Sequence, residues 1–93
     1  MALDPNLGES HYNYGVLLFE QKRYREAAEA FRKALEINPN YAEAHGNLGF
    51  LAMLEGKVDQ AERHYRAALE SRPNYRLAHF QLGRLLQIGR AHV

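Results

Sequence analysis

Three histidines recur at one interval: His11, His45 and His79 are each 34 residues apart. Imidazole ligates metals and moves protons near neutral pH, so such a set invites a metal or proton-transfer reading. The interval argues against it. Histidines on separate helical units sit about 8–10 Å apart, whereas ligands sharing one metal lie at about 2 Å from it. The three are therefore expected to hold no metal. His64 and His92 have no partner at ligand spacing. Nucleophilic chemistry is as poorly supplied. Cys and Thr are absent, and Ser10 and Ser71 lack the flanking pattern that activates a serine. The carboxylates sit at helix ends or at surface ion-pair spacing rather than as an isolated acid–base pair. No glycine-rich phosphate loop is present. The segment is therefore expected to be non-enzymatic, with no catalytic residue and no cofactor.

Composition narrows the partners. The chain has 93 residues, 46% of them hydrophobic and 25% charged, which suits one small globular domain. Twelve basic side chains nearly balance eleven acidic ones. Nucleic-acid arms and polybasic membrane patches work through concentrated charge of one sign, so neither partner is expected. The basic and aromatic cluster KRYR (22–25) is short enough to be a solvated turn. The longest apolar run, Leu48 to Leu54, is too short for a bilayer. The opening MALDPN has neither the basic nor the apolar region of a secretory signal. The default expectation for compartment is the cytoplasm.

The histidine interval belongs to a longer repeat. Shifting the chain by 34 residues aligns 8–41 with 42–75, with 13 identical positions. Gly15, Gly49 and Gly83 recur, as do Pro5, Pro39 and Pro73, each proline followed by Asn. Every unit reads as two helices. Tyr14, Leu17, Leu18 and Leu48, Leu51, Ala52 mark the first helices at i, i+3, i+4 spacing. Ala27, Phe31, Ala34, Leu35 and Ala61, Tyr65, Ala68, Leu69 mark the second. QKRY (21–24) and EGKV (55–58) make the turns, and Pro39 and Pro73 stop the second helices. Asn40 with Glu43 forms a capping-box pattern, repeated by Asn6 with Glu9. Glu29–Lys33 and Glu62–Arg66 are at ion-pair spacing. A mid-helix glycine costs about 1 kcal/mol relative to Ala, so three at a fixed period imply close helix approach. Ala27 and Ala61 are the expected opposing surfaces.

Tyr14-Gly15, Ala27, Phe31, Ala34, Pro39 and Leu48-Gly49, Ala61, Tyr65, Ala68, Pro73 resemble the tetratricopeptide repeat family, with Leu82-Gly83 beginning a third copy. His11, His45 and His79 take the place of the family's leading Trp, which implies that they fill a hairpin seam. The resemblance covers 1–86 and implies an all-α fold of antiparallel helix-hairpin repeats, an α-solenoid of about 2.5 repeats and five helices. Residues 1–7 read as the end of a preceding repeat, 8–41 as unit 1, 42–75 as unit 2 and 76–87 as the first helix of unit 3. After Gln87 the pattern fails. IGRAHV (88–93) is what the opening of a common sequencing adapter would encode, so 88–93 is expected to be a non-native tail. Without a second helix, Leu82, Leu85 and Leu86 are expected to lose their cover, so that the last helix frays or pairs with another chain.

The resemblance also implies a concave groove lined by the first helices. Asn13 and Asn47 recur there in phase, with Gln81 in the third place. Amides both donate and accept, so a ladder of them can bond the backbone of an extended peptide, much as similar ladders do in some family members. Asn13 and Asn47 bonding each other, or only water, is the competing reading. Tyr12, Val16, Phe50, Phe80 and Arg84 stand at neighbouring phases, with Phe19 and Met53 beside them. Phe50 and Met53 serve equally well as groove or as inter-repeat core. Members that clamp the carboxylate of chaperone tails use Lys, Asn and Arg at fixed groove positions. Only Asn47 matches here, with Tyr12, Val16, Leu77 and Gln81 at the others, so that partner is not expected. The function expected is a scaffold binding a protein or peptide in the groove. The alternative is a structural spacer or self-association segment of a larger protein.

Overall fold

The computed structural model describes residues 7–90, all within five helices and the turns between them. They are α1 (Leu7–Glu20), α2 (Tyr24–Ile37), α3 (Ala42–Leu54), α4 (Val58–Ser71) and α5 (Arg76–Arg90). Each helix packs against the next, giving two hairpins, α1–α2 and α3–α4, followed by α5. No strand occurs among the described residues.

The hydrophobic pattern accounts for this stacking. The second helices α2 and α4 bury one stripe each, Ala27, Ala30, Phe31, Ala34 and Ala61, Tyr65, Ala68. Helix α3 lies between α2 and its hairpin partner α4 and buries Ala42, Ala44, Gly46, Leu48, Gly49, Leu51 and Ala52, which lie around much of its circumference. The core therefore crosses the unit boundary. Leu18, Phe31 and Ala34 of unit 1 pack with Ala44, Leu48 and Leu51 of unit 2. Ala52, Ala61 and Tyr65 of unit 2 pack with Leu82 and Leu85 of α5.

The turns fall at the expected segments. At the turn between α1 and α2, Lys22 takes a positive φ of 64°, where unit 2 has Gly56 at 74°. Glycine adopts that conformation without the side-chain penalty that lysine bears. Arg90, the equivalent residue in unit 3, is still helical. Both second helices end two residues before proline, with Asn38 extended ahead of Pro39, as the pre-proline restriction requires.

Four expectations are corrected. Helix α3 is capped at Tyr41, not Asn40, and has no side-chain cap. Asn38 Oδ1 accepts the Asn40 N–H at 3.2 Å, and Glu43 pairs with Arg72 at 2.6 Å instead of closing a capping box. The matching expectation for Asn6 lies outside the described residues. Glu62–Arg66 forms its ion pair at 2.9 Å, but Glu29 and Lys33 form none among the described residues. Ala27 and Ala61 are fully buried, but the atoms nearest to a Cβ at Gly15 or Gly49 are not theirs. A Cβ on Gly15 would lie 2.7 Å from the Phe31 ring, and one on Gly49 would lie 2.7 Å from Tyr65. The tightest requirement for glycine therefore comes from an aromatic ring. Finally, Leu82 and Leu85 are not bare. They face back onto α4 and are 9% and 3% exposed, with Leu86 half-buried beside them. Helix α5 runs through Ile88 and Gly89 to Arg90, and the remainder of the expected tail, His92 included, lies outside the described residues.

Candidate functional site

His45 and His79 belong to the seams between units. A carbonyl oxygen only accepts, so His45 donates Nε2–H to Pro39 O at 3.0 Å, and His79 does the same to Pro73 O at 2.7 Å. Each ring ties its helix to the preceding turn. With His45 Nε2 protonated, its Nδ1 is the acceptor for His64 Nδ1–H at 3.3 Å. His64 thus has a nitrogen partner at close range, which its sequence spacing did not suggest. The missing signal is a substitution: His64 takes the place that Ala30 holds in unit 1. Burial, His45, and the cations Arg32 and Arg63 push the His64 pKa down to about 4. His11, by contrast, lines a small hollow with Tyr14, Glu26, Ala30 and Lys33. Among the described residues no three His, Cys, Asp or Glu side chains gather as metal ligands.

The expected groove residues divide into two groups. Near the N-terminal end, Tyr12 is committed to the fold. Its ring stacks on Tyr41 at 5.0 Å and tilts against Phe31 at 5.5 Å. Its hydroxyl accepts from Asn47 Nδ2 at 3.3 Å, a bond that joins α1 to α3. Burial raises the pKa of the Tyr12 hydroxyl, as it does for Tyr41 and Tyr75. Val16 packs half-buried against the same core. Asn13 is exposed and has no hydrogen-bond partner among the described residues, so Asn13 and Asn47 do not bond each other. The ladder is uneven: one amide is free in solvent, and the next is tied to Tyr12.

Toward the C-terminal end the groups gather around a hollow. Phe50, Met53, Gln81, Arg84 and Leu85 line a hollow of about 120 Å³ between α3 and α5. Met53 is half-buried against the core, whereas Phe50 is 36% exposed and touches the Phe19 ring at 5.6 Å. Phe80 is 60% exposed, with the Arg84 guanidinium over its face at 5.7 Å. Gln81 thus joins the hollow rather than continuing a bonded amide row. Gly83 differs from its two counterparts, because a Cβ there would meet nothing within 4 Å. One residue that sequence spacing missed is Gly46, whose Cβ position faces Tyr75 at 3.3 Å. It stands where units 1 and 3 carry Tyr12 and Phe80.

No helix among the described residues is long and apolar enough to cross a membrane. A family model described as tetratricopeptide repeat matches residues 18–83. No curated protein matches the chain.

Proposed function

Because the chain belongs to the tetratricopeptide repeat family, whose members generally mediate protein–protein interaction without catalysis, we propose that this segment is a scaffold that takes a partner peptide along its first helices. The observation that carries the reading is the α3–α5 hollow, where Phe50, Gln81 and Arg84 converge beside the exposed Phe80 ring. An apolar side chain of a peptide would enter between Phe50 and Phe80. Arg84 and Gln81 would bond its backbone or an acidic neighbour. Asn13 would supply a further backbone contact, while Tyr12, Val16 and Asn47 hold the helices at the right separation. Self-association through Leu82, Leu85 and Leu86 is the weaker alternative, since Leu82 and Leu85 are already covered.

Peptides selected from a random library against the whole chain test this. Replacing Phe80 and Arg84 with Ala should weaken the selected peptides by about 2–4 kcal/mol, the range for an aromatic and a charged contact at an interface hot spot. Undiminished affinity would remove the assigned site.

A further inference from the structure

A second surface lies at the hairpin-turn end of the molecule. There the start of α2 meets the end of α3. Tyr24, Arg25, Ala28, Arg32, Leu51, Leu54, Glu55 and Lys57 line a cleft of about 740 Å³, within the roughly 300–1,000 Å³ typical of ligand pockets. Two independent features mark it. The first is apolar: Leu54 is 53% exposed and Tyr24 is 39% exposed, with Ala28 and buried Leu51 between them. The second is charge. Arg25 and Arg32 have no ion-pair partner among the described residues, and Glu55 is already paired with Lys57 at 3.4 Å. Arg63 lines the adjoining hollow with Lys57, and it too is unpaired among the described residues.

We propose that this cleft is a second docking site, distinct from the first-helix surface, for an acidic peptide segment carrying large aliphatic side chains. The aliphatic group would cover Leu51, Leu54 and Ala28. Flanking carboxylates would bond Arg25 and Arg32, for which bidentate guanidinium–carboxylate pairing is the strongest geometry available. The lining favours a peptide over a nucleic acid. Single strands bind by stacking bases on open aromatic faces. The one aromatic ring here, Tyr24, is held edge-on against Phe19 at 5.3 Å, and the rest of the floor is aliphatic.

The test uses the whole chain and the fluorescein-labelled peptide Gly-Glu-Glu-Leu-Leu-Glu-Glu-Gly, read by fluorescence polarisation. Control peptides replace either the four Glu with Gln or the two Leu with Ser. The account requires saturable binding by the parent peptide alone, weakened by added salt. The double variant R25E/R32E should weaken it about ten-fold or more, since reversed charges at an interface repel. Leu54→Ser should also weaken it several-fold. Both changes are on exposed positions, and an unchanged circular-dichroism spectrum verifies their fold. The F80A/R84A variant should bind as the parent does, which keeps this site separate from the first-helix proposal. Any of four results would overturn the proposal: no saturable binding, equal binding of the Gln or Ser peptides, loss only in F80A/R84A, or stronger R25E/R32E-sensitive binding of an oligothymidylate.

Discussion

Gly49 and Gly83 occupy the same place in successive repeats and have opposite requirements. At Gly49 a methyl group would press into the Tyr65 ring, which is 1% exposed and has no room to retreat. Overpacking of this kind costs about 1–3 kcal/mol, against about 1 kcal/mol gained from helix propensity. At Gly83 only the gain remains. Gly49→Ala should therefore lower the denaturation midpoint, while Gly83→Ala should raise stability by up to about 1 kcal/mol, both read by urea titration. Tyr65 offers a second single-residue test. Its hydroxyl is buried with no hydrogen-bond partner among the described residues, and burial pushes its pKa up to about 12. Unit 1 has Phe31 at that position. Tyr65→Phe removes the orphaned hydroxyl and should stabilise the protein by about 1 kcal/mol, measured by the same titration. The three glycines were legible from their period alone. Their partners were not, because periodicity locates a tight contact without saying which side chain fills it. A rule that pairs small with small chose Ala27 and Ala61. At Gly15 and Gly49 the nearest group is instead the ring of Phe31 or Tyr65.

At the scale of elements, helix number, helix type and turn positions followed from apolar spacing and the prolines. Helix starts did not. Asn40 and Glu43 have the capping pattern, yet Tyr41 occupies the cap. The histidine tie to Pro39 O and the Arg72–Glu43 pair fix that end instead. The first spans six residues and the second 29, both beyond the reach of a four-residue capping motif. The α3–α4 hairpin also carries a pH dependence. His64 has an ordinary pKa of 6.5 and a folded value of about 4. Between those values the unfolded chain binds more protons than the folded one. His64 therefore favours folding fully above pH 6.5, and the advantage falls away as pH drops toward 4. Replacing His64 with Ala, as at Ala30 in unit 1, should flatten that part of the stability-versus-pH curve. Thermal melts across this range would show it, and an unchanged slope would assign the acid loss to other groups.

Across the whole molecule, the repeated hairpins leave α1, α3 and α5 as the first helices of successive units. Side-chain contacts run between them from Tyr12 to Asn47 and from Phe19 to Phe50. The family was legible from the 34-residue period and its glycine, alanine and proline positions. The candidate site was only partly so. Helical phase identified Phe50, Gln81 and Arg84, which do share a hollow. It could not separate Asn13, which faces solvent, from Asn47, which holds Tyr12, because both have the same phase and residue type. Asn47 reaches back one unit to Tyr12, a contact with no counterpart for Asn13 among the described residues; for Gln81 the corresponding position is Gly46, which has no hydroxyl to offer. The most direct test of peptide capture by the first helices is amide chemical-shift mapping of the whole chain, titrated with a library-selected peptide. The account predicts saturable shifts concentrated on α3 and α5 around Phe50, Phe80, Gln81 and Arg84, extending to Asn13. Shifts confined to α2 and α4, with these residues silent, would contradict it.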